Sequence, residues 1–371
     1  MKFRIENNIL QENAANYSNG LKDFPRAINF VTQKNYAYQN GNFNDVAITT
    51  PLSFPTGANK FCGGVLLKDG RVFCVPRNEQ QVRIYDPITD TLTSSSNVFP
   101  GSSAFSGGVL LPDGRVFCVP FNATSAYIYN PSNGNIATKN MGSGYFGGVL
   151  LRDGRVFCVP RNTTQAKIYD PVSDTVFTSS QSFPGSIAFT GGVLMQDGRV
   201  FLVPSNVSSA YIYNPENDTV ATYSVPTPST VFIGGVLLPD GKVFCVPGDN
   251  TTSAIIFNPA NNTFSSVGGF PNMAGPFSAG VLLPDGRVFC VPYNSTTARI
   301  YDPVTNTVTT PSGTFPGSGA FNGGVLMTDG RVFCIPTEQT TTRILTGNFT
   351  KSNNPHQFTK QLLLSSYLNK F

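Results

Sequence analysis

An Asp-Gly dipeptide recurs seven times, at Asp69, Asp113, Asp153, Asp197, Asp240, Asp285 and Asp329, at intervals of 44, 40, 44, 43, 45 and 44 residues. It sits inside a longer signature, Gly-Gly-Val-Leu-Leu-x-Asp-Gly-Arg-Val-Phe-Cys-Val-Pro followed by Ala-x-Ile-Tyr-Asp/Asn-Pro. A repeat of this length is one supersecondary unit that cannot bury its own apolar face, so copies must stack on one another. That single fact restricts the chain to a solenoid or a closed ring.

Each copy reads as four short strands. In the second copy, Gly107 to Leu111 and Arg115 to Val119 flank a Pro-Asp-Gly turn, a hairpin signal. The Arg115 to Val119 segment is apolar on both faces, as a strand sandwiched between sheets must be. Ala126 to Tyr129 follows and is closed by Asn130-Pro131, which cannot continue a ladder. The last strand is Thr-rich, as at Thr307-Val308-Thr309, and suits a solvent-facing edge. Four antiparallel strands repeated seven times predict an all-β, seven-bladed β-propeller over residues 45–350. The paired glycines are expected to open the innermost strand, where crowding around the axis favours a missing Cβ. The segment Asp45 to Thr50 has fourth-strand character and is expected to complete the last blade as a clasp. This leaves an amino-terminal arm (1–44) and a carboxy-terminal tail (351–371). In the tail, Leu364, Tyr367, Leu368 and Phe371 share one face of a short amphipathic helix, which packs on the ring or docks on a partner.

The strings Leu110 to Val116 with Ile128 to Pro131, and Leu282 to Val288 with Ile300 to Pro303, resemble kelch repeats, most of all the bacterial and galactose-oxidase-like kind. Val119-Pro120 stands where kelch repeats carry Gly-Gly, and the chain has no Trp for their fourth strand. The resemblance implies a propeller whose usual role is binding or scaffolding, with enzymes in the minority. In style the repeats are also similar to propeller proteins of large DNA viruses, which implies a virion component.

Composition narrows the chemistry. One histidine, His356 in the tail, removes Ser/His/Asp and Cys/His sets and the copper ligands of a galactose-oxidase-like site. Thirteen of the 21 acidic residues occupy repeated turn positions, where Asp caps backbone. The Arg after each Asp-Gly, Lys242 once, is expected to tie the turn to a neighbour. Glu79 and Glu338 occupy comparable loops in blades that meet at ring closure, an isolated acidic pair. No nucleotide-binding fingerprint occurs, and a net charge of +4 gives no footprint for nucleic acid. No catalytic residue, metal ligand or cofactor is therefore assigned. Apolar runs fall short of a membrane span.

Six of the seven cysteines (Cys74, Cys118, Cys158, Cys245, Cys290 and Cys334) share one repeat position, which Leu202 fills in the remaining copy. A site that accepts Leu is an apolar core site, so free buried thiols and a reducing compartment, cytoplasm or virion, are expected. The amino terminus lacks a secretory signal pattern, and the Asn-x-Ser/Thr triplets at Asn122, Asn162, Asn206, Asn250 and Asn294 read as Asn-favoured turns.

In a propeller the loops between strands two and three share a face with the blade-to-blade loops. There the copies differ: Arg77, Phe121, Arg161, Ser205, Gly248, Tyr293 and Thr337 succeed one another after the Val-Pro or Ile-Pro. Arg and aromatic side chains are what protein-binding hot spots favour, so Arg77, Phe121, Arg161 and Tyr293 are the candidate partner-binding rim. The function expected first is a non-enzymatic scaffold with protein partners. A lectin-like carbohydrate-binding ring is the alternative, and an enzyme with an unrecognised site the third reading.

Overall fold

The computed structural model describes residues 52–226, 231–249 and 251–346, with the short strands Ile5–Glu6, Ile9–Leu10 and Ile48–Thr49. The tail face Leu364, Tyr367, Leu368 and Phe371, and most of the arm, lie outside the described residues. Seven four-stranded antiparallel sheets form the ring, and no helix occurs among the described residues. In the second blade the strands are Phe105–Leu110, Val116–Pro120, Ser125–Tyr129 and Ile136–Asn140, in that spatial order. First strands of successive blades pack side by side, those of blades seven and one included, so they surround the axis. Blade seven takes its fourth strand from the other end of the chain: Ile48 pairs with Ile344 and Thr49 with Arg343, antiparallel. Farther upstream, Ile5–Glu6 and Ile9–Leu10 pair as a two-stranded ladder.

The core lies between blades. Seven apolar clusters each combine the second strand of one blade with that of the next, and each holds one of the six register cysteines or Leu202. All seven cysteines are free and buried. Burial pushes the six register thiols up, Cys334 to about 12. Across the interface of blades two and three, Tyr169 stacks on Phe117 with ring centroids 5.1 Å apart. The same stack recurs as Tyr85 on Phe333 and Tyr213 on Phe157. Leu345 takes the place of the ring between blades six and seven, in a cluster with Phe289.

The glycine pair does two different jobs, neither of them opening the strand, which begins two residues earlier at Phe105 or Phe61. In blade three, Gly147 has φ +78° and lies in a bulge where the register shifts between Tyr145 and Gly148. Gly148 has an ordinary φ, but a Cβ there would lie 2.8 Å from Val109 Cγ2 and 2.9 Å from Val119 Cγ2 of blade two. The crowding that demands glycine is thus that of neighbouring inner strands, with Val109 on the first and Val119 on the second strand of blade two. In blade six, Ala279 takes the first place and pairs directly with Val291.

The repeated polar residues are consumed locally. Every Asp-Gly-Arg/Lys turn closes an ion pair between its own Asp and the basic residue two positions on, at 2.6–2.7 Å. The expected tie to a neighbour exists as a second contact in two blades, Arg115 to the Pro171 carbonyl and Arg331 to the Pro87 carbonyl. Asp86, Asp170 and Asp302 accept backbone N–H bonds two residues on, as Asx turns do. Asp90, Asp174 and Asp218 have left-handed φ and accept the hydroxyls of Tyr85, Tyr169 and Tyr213 at 3.0 Å.

Candidate binding site at the mouth of the central channel

All seven rim residues stand at one height, because the same backbone bond places each of them. The N–H of Arg77, Phe121, Arg161, Ser205, Gly248, Tyr293 and Thr337 donates to the carbonyl of the residue before its own first strand: Lys60, Ala104, Gly144, Ala188, Val231, Pro276 and Ala320. The rim thus extends the inner hairpin beyond Pro120 and its equivalents. Strand alternation turns a rim side chain to the side of Val119, which faces the following blade.

The asparagine that follows the rim residue staples adjacent loops. Asn78 Nδ2 donates to the Ala58 carbonyl of its own blade, while its Oδ1 accepts from Ser103 N of the next. Asn294 does the same with Ala274 and Gly319. Asn162 accepts from Ile187 N. Of the sequon positions, Asn162 and Asn294 thus act as loop-to-loop staples, and in blade five Asp249 takes the role by accepting from Gly275 N.

Three of the four predicted rim residues meet through one further aromatic. Arg77 Cζ lies 5.8 Å from the centroid of Phe121, which packs edge-on against Phe146 at 5.9 Å. Arg161 Cζ lies 4.5 Å from the Phe146 centroid. The result is a run of guanidinium, ring, ring and guanidinium across blades one to three. Each cation–ring contact is worth about 0.5–2 kcal/mol, depending on its exposure. Arg77 also donates Nε–H to Ser103 Oγ at 3.3 Å. Among the described residues neither arginine forms an ion pair, although all seven basic residues of the opposite-face turns do. Burial, and then the like charge of Arg77, lower the pKa of Arg161. Tyr293, from blade six, feels both Glu338 and Arg77, and burial above all raises its pKa.

Phe146 was not singled out in the sequence, yet a signal was present. It occupies the second place of the first strand, which is Cys62, Ser106, Phe146, Thr190, Ile233, Ser278 and Asn322 around the ring. This place varies between copies as strongly as the rim does. Neighbours in it touch around the axis: Cys62 Sγ lies 3.6 Å from Ser106 Oγ and 3.7 Å from Asn322 Oδ1. The rest of the rim is small: Ser205, Gly248 and Thr337. Ser205 Oγ and Thr337 Oγ1 are buried without a hydrogen-bond partner.

Lys60 was also unforeseen. Its equivalents are Ala, Gly, Val or Pro, whereas Lys60 is 2% exposed and donates from Nζ to the Gly57 carbonyl at 3.0 Å. Burial lowers its pKa against the opposing pull of Glu338 and Glu79. Glu79 itself pairs with Arg83 at 3.3 Å, so one carboxylate of the acidic pair is engaged by a cation of its own blade. Among the described residues no group of three or more His, Cys, Asp or Glu side chains is placed to hold a metal. Nor is any described helix long and apolar enough to cross a membrane.

No protein-family model matches the chain, and no curated protein matches it in sequence. Solved structures do match in shape. A streptogramin B lyase superposes with a TM-score of 0.71 at 12% identity, covering 83% of this chain and 100% of the lyase. Virginiamycin B lyase from Staphylococcus aureus, solved in an inactive form with quinupristin, gives 0.69 at 11% identity over 81% and 99%. A copper-bound fungal alcohol oxidase of the AA5 family gives 0.64 at 15% over 82% and 77%. At these identities the likeness establishes the propeller fold and nothing further.

Proposed function

We propose that the ring is a non-enzymatic protein-interaction scaffold whose partner-binding face is the channel mouth around Arg77, Phe121, Arg161 and Tyr293. One observation carries this reading. Residues that repeat are engaged in turns, staples and blade interfaces, while the large residues that do not repeat are gathered at one opening. Arginine and aromatic side chains are the types that dominate binding energy at protein interfaces. The kelch-like repeat pattern supports the same role, as does the free state of all seven buried thiols, which fits an assembly component of the cytoplasm or of a virion. The tail residues Leu364, Tyr367, Leu368 and Phe371 are a second docking element in this proposal.

The test is capture of partners from the native source on immobilised protein. Phe121→Ala with Tyr293→Ala should remove the specifically bound protein, with the circular dichroism and melting temperature of the ring kept. Capture that survives this pair but is lost on Leu364→Lys with Leu368→Lys moves the docking role to the tail. Capture that survives both pairs refutes the proposal.

A further inference from the structure

We propose that the channel mouth recognises an acidic segment of a protein partner, whose carboxylates engage Arg77 and Arg161. This rests on the interaction-scaffold reading above and adds the chemistry of recognition. The ring handles its basic residues in two different ways. On the face of the Asp-Gly turns, Arg71, Arg115, Arg155, Arg199, Lys242, Arg287 and Arg331 each lie within 2.7 Å of their own aspartate. At the mouth, Arg77 and Arg161 are half-buried, share one aromatic run and make no ion pair among the described residues. The two guanidiniums at the ends of this run are each deprived of part of their water without a carboxylate in exchange. Burial above all lowers the pKa of Arg161, with the charge of Arg77 a lesser cause. An incoming anion relieves both costs, and a planar carboxylate matches the guanidinium fork.

The shape of the rim says how such a segment enters. Blades one to three carry the bulky cation–aromatic run, whereas blades four and five contribute only Ser205 and Gly248. Gly248 cannot be enlarged, because a Cβ would lie 2.6 Å from the Val231 carbonyl oxygen. The low sector is therefore built into the backbone. A segment crossing it meets the two guanidiniums on one side and the Tyr293 ring on the other.

The test uses fluorescence anisotropy with three labelled decapeptides, alternating Gly–Glu, Gly–Gln and Gly–phosphoserine, at low and at physiological salt. The proposal expects saturable binding of the Gly–Glu peptide and none of the Gly–Gln peptide. The paired variant Arg77→Gln with Arg161→Gln should weaken binding by about tenfold or more. Arg155→Gln with Arg199→Gln removes the same charge from the opposite face and should change binding by less than about twofold. Arg161→Lys, which keeps the charge and loses the fork, should weaken binding measurably and guards against a misfolded double variant. Equal weakening by both Gln pairs, or no saturable binding of the Gly–Glu peptide, overturns the inference. So does preferential binding of the phosphoserine peptide, which would make the mouth a phosphate site. Partner capture that is lost on Phe121→Ala with Tyr293→Ala yet intact in the Arg77/Arg161 Gln pair would discard the carboxylate and leave the scaffold reading standing.

Discussion

Replacing Gly148 with Ala tests whether blade spacing is set by a missing Cβ. In an unconstrained strand Gly→Ala is stabilising by about 0.5–1 kcal/mol, because it reduces the freedom of the unfolded chain. At Gly148 the new methyl would sit 2.8 Å from Val109 Cγ2, 2.9 Å from Val119 Cγ2 and 3.2 Å from Val156 Cγ1. These methyls belong to β-branched side chains with restricted χ1, two of them on the neighbouring blade, so they cannot swing clear independently. Overpacking of this kind costs about 1–3 kcal/mol, which outweighs the entropic gain. With the overpacking cost in the middle of its range, about 2 kcal/mol, the expected outcome is net destabilisation by about 1–1.5 kcal/mol, a drop in melting temperature of about 2–6 °C. Urea unfolding followed by far-ultraviolet circular dichroism measures it, with the slope unchanged and the midpoint lowered. Adding Val109→Ala should recover part of the loss, giving a coupling of at least about 0.5 kcal/mol in the double-mutant cycle. A Gly148→Ala ring as stable as the parent, or more so, would refute the reasoning.

Two further outcomes follow from burial. Cys74, Cys118, Cys158, Cys245, Cys290 and Cys334 are fully buried with raised pKa values, so a thiol reagent should label them only after denaturation, with Cys118→Leu costing less than about 1.5 kcal/mol; rapid native labelling would contradict this. Lys60→Met should raise the denaturation midpoint at pH 7, since it removes a buried ammonium. Because the folded pKa of Lys60 lies below 10.5, its penalty is fully present below that folded value and fades as pH rises from there towards 10.5, where the unfolded state also loses its proton. The gap between parent and variant should therefore close over that window, and a gap independent of pH would remove the ammonium as its cause.

Much of the architecture was legible because the chain states each rule seven times. The blade count, the four strands and the core position shared by six cysteines and Leu202 follow from periodicity and from what one site tolerates. Functions that need a partner in another copy were not legible. The second glycine reads like the first, and only the approach of Val109 and Val119 separates them. Asp174 reads as one more turn former, although it also receives the Tyr169 hydroxyl while that ring stacks on Phe117 of the preceding blade. Arg115 was expected to bind a neighbour and does, but its first bond is to its own Asp113 at 2.6 Å, a shorter reach than a comparison of copies conveys. At the mouth the sequence named three of the four members of the aromatic run. Phe146 escapes such a reading because it belongs to the second place of strand one and not to the loop after strand two.

These two varying places explain why the site is asymmetric in a ring built from near-identical parts. A rim side chain meets the next copy or the first strand of its own, so its surroundings are set by two varying places at once: Arg161 packs on Phe146 of its own blade. Arg77 finds Phe121, and Phe121 finds Phe146. A substitution at one rim place is therefore read by its neighbour, and two adjacent changes create a contact that neither copy encodes alone. The other repeated positions hold turn ion pairs, staples and stacks, and where they vary, as at Ala279 and Leu345, the replacement packs in the same place. Diversity is concentrated at the mouth, where it sets beside two rings two guanidiniums that form no ion pair among the described residues. A partner that reads the mouth reads the order of the copies around the ring.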